Sequence, residues 1–256
     1  MSWLVIPPLW VVGLLFLSAL TIAVVLGYAG QARLQRMADA ASEPPPGGAH
    51  LLSAVLGLLA LLLGFSFSMA MDRYDTRRQL VVQEANALGT TWLRIQLLDE
   101  PDRTVMSDLM RRYVDARLTW SNSTAERPPE AGALVLQQQL WAATGVALRS
   151  DSPPLLTRGV MDSLNESIDI ASARAAARAA HIPDFVQWLL FVYAILAMAM
   201  LGTVLGRSLK QHLPQTALLL VLLTLSHMIV LDLDRPRSGS IQVSQQPMED
   251  LRQSID

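Results

Sequence analysis

Residues 48–78 read GAHLLSAVLGLLALLLGFSFSMAMDRYDTRR, and this stretch predicts the fold class. It carries no Asp, Glu, Lys or Arg before Asp72, and neither Gly nor Pro occurs between residues 72 and 78. A helix needs about 20 predominantly apolar residues to cross the hydrocarbon layer of a membrane. The stretch therefore predicts a spanning helix at about 50–71 that leaves the membrane and continues to around Leu98.

Three other stretches also lack formal charge and are long enough to span: 1–32, 185–206 and 211–231. They predict spans at about 3–28, 185–206 and 214–231. The first stretch has no basic start and exceeds the 7–15 apolar residues of a signal peptide core, so we expect it to be retained. The Pro/Gly cluster at 44–48 and a tight turn at 207–213 then join the spans as two hairpins.

The polar segment between the hairpins is predicted to be helical throughout. Pro101 and Pro154 stand where a first helical turn tolerates proline. Apolar residues recur there at spacings of three and four, typical of packed helices, in two stripes: Val105, Leu109, Tyr113, Ala116 and Trp120, then Leu156, Val160, Leu164, Ile168 and Ala171.

The predicted fold is an all-α integral membrane protein with long helices that extend from the membrane. Its predicted parts are a first hairpin (1–71), a cytoplasmic helical domain (72–182), a second hairpin (183–231) and a cytoplasmic C-terminal tail (232–256).

Composition excludes several classes of function. Charged residues make up 16% of the chain, below the roughly 25% of soluble domains. A net charge of −2 argues against a nucleic-acid partner, which needs a concentrated basic face. The chain has no cysteine, and no spacing matches a metal motif, a phosphate-binding glycine loop or a nucleophile elbow. We therefore expect no cofactor, no metal site and no enzymatic activity.

Lys and Arg near the span ends predict the orientation. Four lie on the side of the short connections: Arg33, Arg36, Arg207 and Lys210. Seven lie on the side of the helical domain and C-terminus: Arg73, Arg77, Arg78, Arg174, Arg178, Arg235 and Arg237. This excess predicts that both termini and the helical domain face the cytoplasm, in the inner (plasma) membrane of a cell.

Residues 63–80, LGFSFSMAMDRYDTRRQL, resemble the second-span exit of bestrophin channels, where an apolar, Gly-Phe-containing helix leads into Tyr-Asp-Arg-Trp-Trp. Residues 231–247, LDLDRPRSGSIQVSQQP, are similar to a bacterial bestrophin-like family of unknown function, whose layout covers nearly the whole chain. The resemblance implies a ring-shaped homo-oligomer, with five copies as the leading expectation, that conducts small inorganic ions through a neck lined by the second span.

The chain departs from the bestrophin pattern at two places. Tyr74 and Asp75 replace the Trp-Trp pair. The acidic calcium clasp of animal bestrophins has no clear counterpart, although Asp232 and Asp234 occupy the analogous place after the fourth span.

One face of the second span is the candidate neck. Its members recur every three or four residues: Leu58, Leu61, Leu62, Phe65 and Met69. In a ring of copies this stripe would form an apolar constriction that gates by dewetting. The alternative is that the stripe packs on other helices or faces lipid, since nearly every residue of this span is apolar. Gly57, Gly64, Ser66 and Ser68 are expected to let neighbouring helices approach closely.

Charged residues at the membrane exits form a second candidate site, at the inner mouth: Asp72, Arg73, Asp75, Arg77, Arg78, Asp232, Asp234 and Arg235. They would ring the mouth of a channel, or anchor the helix at the membrane surface through headgroups and partner carboxylates.

Three further residues carry hypotheses. Arg174 and Arg178 share a helix face and would line a vestibule that attracts anions, or form a solvated or headgroup-facing stripe. His227 is the ionisable residue well inside a span, which favours a functional role. A neutral His227 bonded to a nearby carbonyl or to Ser226 is the alternative.

Two functions follow from these sites. One is a homo-oligomeric channel or pore with an apolar neck. The other is a non-conducting scaffold or signalling protein that binds a partner through helices at 72–120 and 154–180.

Overall fold

The computed structural model describes residues 8–37, 48–123, 131–150 and 152–255. Within these residues the regular secondary structure is helical throughout. The α-helices are α1 (Leu9–Met37), α2 (Gly48–Ile95), α3 (Asp102–Asn122), α4 (Ala131–Ala147), α5 (Pro154–Ala179), α6 (Asp184–Leu205), α7 (Leu213–Leu233) and α8 (Gln246–Ser254), with a 3-10 helix at Gly206–His212.

Four segments of the described chain contain helices long and apolar enough to cross a membrane: Leu9–Gln35, Gly48–Ile95, Pro154–Leu205 and Leu213–Leu233. They contain α1, α2, α6 and α7, so the predicted all-α membrane fold is confirmed. Span residues 3–7, with the start of the first span, and connection residues 44–47 lie outside the described residues.

Helix α1 extends beyond the span predicted at about 3–28 and ends at Met37. Residues 31–37, QARLQRM, are strong helix formers, so the helix continues beyond its apolar part. At the other hairpin, α6 ends at Leu205, and the next residue is Gly206, whose φ of +43° is one that glycine adopts without strain.

The chain divides into two compact units. The membrane unit comprises Met1–Asp72 and His181–Ser240; the helical unit comprises Arg73–Ala180 and Ile241–Asp256. The segment expected to be a C-terminal tail is therefore shared, since its first nine residues belong to the membrane unit and the rest to the helical unit.

The core of the membrane unit lies between α1, α6 and α7. It buries residues along one side of α1, among them Phe16 and Leu20, against Ala194 and Met198 of α6 and Leu223 of α7. Helices α1 and α6 approach most closely at Gly27 and Gly202. A Cβ added to Gly27 would overlap the carbonyl oxygen of Ala199, and one added to Gly202 would overlap that of Val24.

The small residues of α2, which were expected to let neighbouring helices approach closely, do not do so within one chain. Apart from the neighbouring backbone of α2 itself, no atom of the described chain lies within 4 Å of a Cβ added to Gly57 or Gly64. Ser66 is buried, but its hydroxyl donates to the carbonyl oxygen of Leu62 in its own helix. Within one chain, close helix approach therefore depends on Gly27 and Gly202, which the sequence did not single out.

The core of the helical unit is built from α3, α4, α5, α8 and the second half of α2. The predicted α5 stripe packs here, with Val160 and Leu164 fully buried. The predicted α3 stripe is partly wrong: Val105 is exposed, and Met106 and Met110 are buried instead. Helix α8 was not predicted; its Met248 is fully buried in this core.

Candidate functional site

The candidate neck stripe lies on an uncovered face of α2. Leu58, Leu61, Phe65 and Met69 are 40–60% exposed, and Leu62 is half-buried. The face of α2 that packs on the membrane unit instead holds Leu52, Leu59, Ser66 and Ala70. Each of Leu58 and Phe65 directly precedes a buried residue, and one residue turns a helix by about 100°. The stripe therefore points well away from the packed face.

Helix α2 is also the span that the rest of its own chain covers least. Of its most apolar 18 residues 17% are buried, against 33% for α1 and 50% for α7. A hydrogen bond connects α2 to α6: the hydroxyl of Tyr193 in α6 donates to the carbonyl oxygen of Val55 in α2 at 3.2 Å. Most of the circumference of this span is thus available to lipid, to another copy or to an axial path.

The charged residues at the exit of α2 have different surroundings. Asp72 and Arg78 are exposed, and Arg73 and Asp75 are half-buried. Arg77 is buried, and its guanidinium donates to the carbonyl oxygens of Ala177 at 3.1 Å and Ala180 at 2.6 Å. The last carbonyls of a helix lack partners within it and carry partial negative charge. Arg77 therefore caps the C-terminal end of α5. For Asp72, Arg73, Asp75 and Arg78, a position around the inner mouth of a channel stays a prediction.

Arg77→Met should lower the free energy of unfolding by about 1.5–3 kcal/mol, the usual contribution of hydrogen bonds to a charged group. Methionine keeps the apolar stem but cannot donate to Ala177 and Ala180. Denaturant titration of the detergent-solubilised protein, followed by helical circular dichroism, measures the change. Arg78→Met is the matched control, because the neighbouring Arg78 is exposed. Equal stability of the two variants would refute the capping role.

Arg174 and Arg178, the candidate vestibule residues, are both buried in the helical unit. Arg174 pairs with Glu84 and donates to Ser121 and Gln245. Arg178 donates to the carbonyl oxygens of Trp120 at 2.9 Å and Ser123 at 2.7 Å. A solvated or headgroup-facing stripe is therefore wrong for the single chain. The vestibule role stays a prediction for an assembled oligomer.

Glu84 joins two arginines in one buried ion cluster. It is 0% exposed, and its two carboxylate oxygens accept from Arg174 and, at 2.5 Å, from Arg117, which is 2% exposed. Burial lowers the pKa of Arg174 because it disfavours the charged form, and the Glu84 carboxylate opposes that shift. The shared carboxylate thus offsets part of the cost of burying two guanidinium groups.

The indole of Trp120 lies against the same guanidinium groups. Their central carbons lie 4.4 Å (Arg117), 4.9 Å (Arg178) and 5.5 Å (Arg174) from the ring centroid, which is cation–π distance. Sequence reasoning placed Trp120 on a packing stripe but missed Glu84 and Arg117. The spacing of Glu84 could have indicated its burial, because it lies three residues after Val81 and four before Leu88, on the buried face of α2.

His227 lies in the core of the membrane unit. Its Nδ1 is 3.0 Å from the carbonyl oxygen of Leu223, one turn earlier in α7. Its ring centroid is 4.6 Å from that of Phe16 and 5.6 Å from that of Phe191. The hydroxyl of Ser226 instead donates to Leu222. His227 thus joins α7 to α1 and α6 among aromatic rings.

Asp232, Asp234 and Arg235 are all buried in the membrane unit, Asp232 in the last turn of α7 and the other two just after it. Asp232 accepts from the backbone N–H of Ser240 at 2.6 Å. The two carboxylate oxygens of Asp234 accept from the backbone N–H of Ile182 and from the Gln187 side chain, each at 2.9 Å. Asp234 is therefore bound at the start of α6, and Asp232 is bound within the loop that follows α7.

The family model of the Bestrophin-like domain matches residues 18–248 of the chain. The chain belongs to the bestrophin-like family. The resemblance read from residues 63–80 and 231–247 is confirmed, and the bestrophin-like chain is an integral membrane protein.

Solved structures share this bestrophin-like fold. A mutant of a bacterial bestrophin homolog from Klebsiella pneumoniae is 15% identical with a TM-score of 0.67, and the match covers 94% of this chain and 97% of that one. Another structure of a bacterial bestrophin homolog from the same organism is 16% identical with a TM-score of 0.66, covering 93% and 94%. At this identity the likeness shows the fold alone. No curated protein matches the chain.

The calcium clasp of animal bestrophins does not fit the residues of this bestrophin-like chain. Calcium takes six to eight oxygen ligands, mainly from carboxylates and carbonyls. Both Asp234 oxygens and one Asp232 oxygen already accept from N–H groups. Within the described residues no group of three or more His, Cys, Asp or Glu is placed to hold a metal ion.

Proposed function

We propose that the protein is a homo-oligomeric ion channel or pore of the inner (plasma) membrane, with α2 of each copy around a central path. Five copies is the leading arrangement, by resemblance to bestrophins. Both termini and the helical unit would face the cytoplasm, as the Lys and Arg distribution favours. The observation that carries the proposal is the exposed, charge-free stripe of α2, on the span that its own chain covers least.

A channel needs a constriction and polar or charged groups at its mouths. Leu58, Leu61, Leu62, Phe65 and Met69 would supply the apolar neck. One turn beyond Met69 the same helix reaches Asp72 and Arg73, which would supply charge at the inner mouth together with Asp75 and Arg78. The open space at Gly57 and Gly64 suits the close approach of another copy, since small residues let spanning helices pack tightly.

Phe65→Ala and Leu61→Ala should each raise single-channel conductance or open probability several-fold in planar bilayers, because smaller side chains leave the neck wider and easier to wet. Purified protein reconstituted in bilayers of bacterial lipids and bathed in potassium chloride gives the measurement. Phe67→Ala is the matched control: Phe67 is also exposed, but it points about 160° away from Phe65. Silent wild-type oligomers, or equal effects of Phe65→Ala and Phe67→Ala, would contradict the neck.

The second candidate function is a non-conducting scaffold that binds a partner through its helical unit. Helix α4 favours it, because that helix contains no charged residue and its outer face exposes Leu134, Val135, Trp141 and Val146. A specific partner captured through this unit, together with the absence of ion flux, would favour the scaffold over the channel.

A further inference from the structure

The segment after α7 is tied to the start of α6 by a set of buried polar contacts. Asp234 is central: its carboxylate binds the backbone N–H of Ile182 and the side chain of Gln187. Its own carbonyl oxygen lies 2.9 Å from Nδ1 of His181. Residues 181, 182 and 187 lie at and just beyond the point where the chain re-enters the membrane unit. Asp234 therefore ties the end of the last span to the entry of α6.

Asp232 organises the loop that follows. Its carboxylate accepts from Ser240 at 2.6 Å, which closes the loop from residue 232 to 240. A Cβ added to Gly239 would lie 2.5 Å from Oδ1 of Asp232, 2.7 Å from its carbonyl oxygen and 3.0 Å from that of Arg235. Only glycine fits at such distances, so the backbone at Gly239 packs directly against this carboxylate.

A positive charge is already present in the loop. Arg235 is 3% exposed. Burial lowers the pKa of Arg235 because it disfavours the charged guanidinium, and the charge of Asp232 acts in the opposite direction. A buried arginine and carboxylate compensate one another's loss of hydration, and removing either leaves an uncompensated charge.

We propose that Arg235 is the built-in cation of a permanent clasp, formed by Asp232, Asp234, Arg235, Gly239 and Ser240, that holds the end of α7 to residues 181–187 without a divalent ion. The clasp occupies the place where the resemblance to animal bestrophins suggests calcium. Here the backbone N–H groups of Ile182 and Ser240 and the Gln187 side chain bind the carboxylates, and Arg235 places a buried positive charge in the same loop. The clasp is a feature of the folded chain, whether or not the protein conducts ions.

The test compares thermal unfolding of the full-length, detergent-solubilised protein in calcium chloride and in a calcium chelator. The wild-type midpoint should be the same in both solutions within the scatter of replicate melts. Arg235→Ser should melt several degrees lower than wild type, and Arg235→Lys, which keeps the charge, should recover part of the loss. Arg33→Ser is the matched control, since Arg33 is an exposed arginine of the same unit.

Gly239→Ala gives an independent test that leaves every charge in place. It should also lower the midpoint, because the added methyl group pushes the loop off Asp232. A calcium-dependent rise of the wild-type midpoint that disappears in Asp232→Asn would show a metal site and overturn the proposal. So would midpoints for Arg235→Ser and Gly239→Ala equal to that of Arg33→Ser. These melts do not depend on ion current. A non-conducting protein would therefore refute the channel function without contradicting the clasp.

Discussion

Glu84→Gln should lower the free energy of unfolding by about 3–5 kcal/mol, the cost of removing one partner from a buried ion pair. Glutamine preserves the size of the side chain and removes its negative charge. Arg117 and Arg174 then lose the carboxylate that they share inside the helical unit. Water cannot replace it readily, because Glu84 is fully buried. The loss should therefore be among the largest of any single charge removal in the chain.

Denaturant titration of the solubilised protein measures this loss, with Glu166→Gln as the matched control. Glu166 is an exposed glutamate of α5, and such surface changes usually stay within about 0.5 kcal/mol. A double variant with Arg174→Met should lose less than the sum of the two single variants, because the second change removes one of the buried cations that the first leaves uncompensated. Additive losses, or equal losses for Glu84→Gln and Glu166→Gln, would argue against the cluster.

Gly202→Ala should destabilise the membrane unit by about 3 kcal/mol or more, the upper end of the cost of overpacking. The added methyl group meets backbone atoms of Val24 and Tyr28, and backbone cannot rotate away as a flexible side chain can. Helices α1 and α6 must then separate along a core that includes Leu20, Ala194 and Met198. Gly27→Ala should have a similar effect from the other side of the same contact.

The yield of monodisperse protein after detergent extraction and the unfolding midpoint give the measurement. Gly30→Ala in α1 is the control, because within the described residues, and apart from the neighbouring backbone of α1 itself, no atom lies within 4 Å of the methyl group that it adds. Alanine also favours a helix over glycine by up to about 1 kcal/mol, so the control should be neutral or stabilising. If Gly202→Ala and Gly30→Ala behave alike, the close contact between α1 and α6 is not what positions them.

The spans and most helix ends could be predicted from local sequence. The length of a charge-free run decides whether a helix can cross a membrane, and that property needs no knowledge of distant residues. Proline at the starts of α5 and α7 likewise acts through its own backbone geometry. Hydrophobicity alone does not predict the extension of α1 to Met37, because the helix continues through polar residues that are good helix formers.

The candidate site was predictable only in part, because burial depends on what another segment brings to a residue. The sequence placed Arg77, Arg174 and Arg178 among charges at a membrane surface, and all three are buried. Their partners are distant in the chain, since Arg77 binds carbonyls about 100 residues away and Arg174 binds Glu84 and Gln245. The spacing of nearby residues in the sequence cannot predict such pairs.

The small residues show the same division. The sequence of α2 suggests that Gly57 and Gly64 pack against another helix. The close backbone contact in the structure is instead between α1 and α6, at Gly27 and Gly202. Composition and periodicity were enough to establish a membrane protein with four apolar spans and a helical segment between two hairpins, because each of these depends on residues a few positions apart. Which faces are covered, which arginines share a carboxylate and which loop closes over Asp232 depend on contacts between helices far apart in the chain, which only folding brings together.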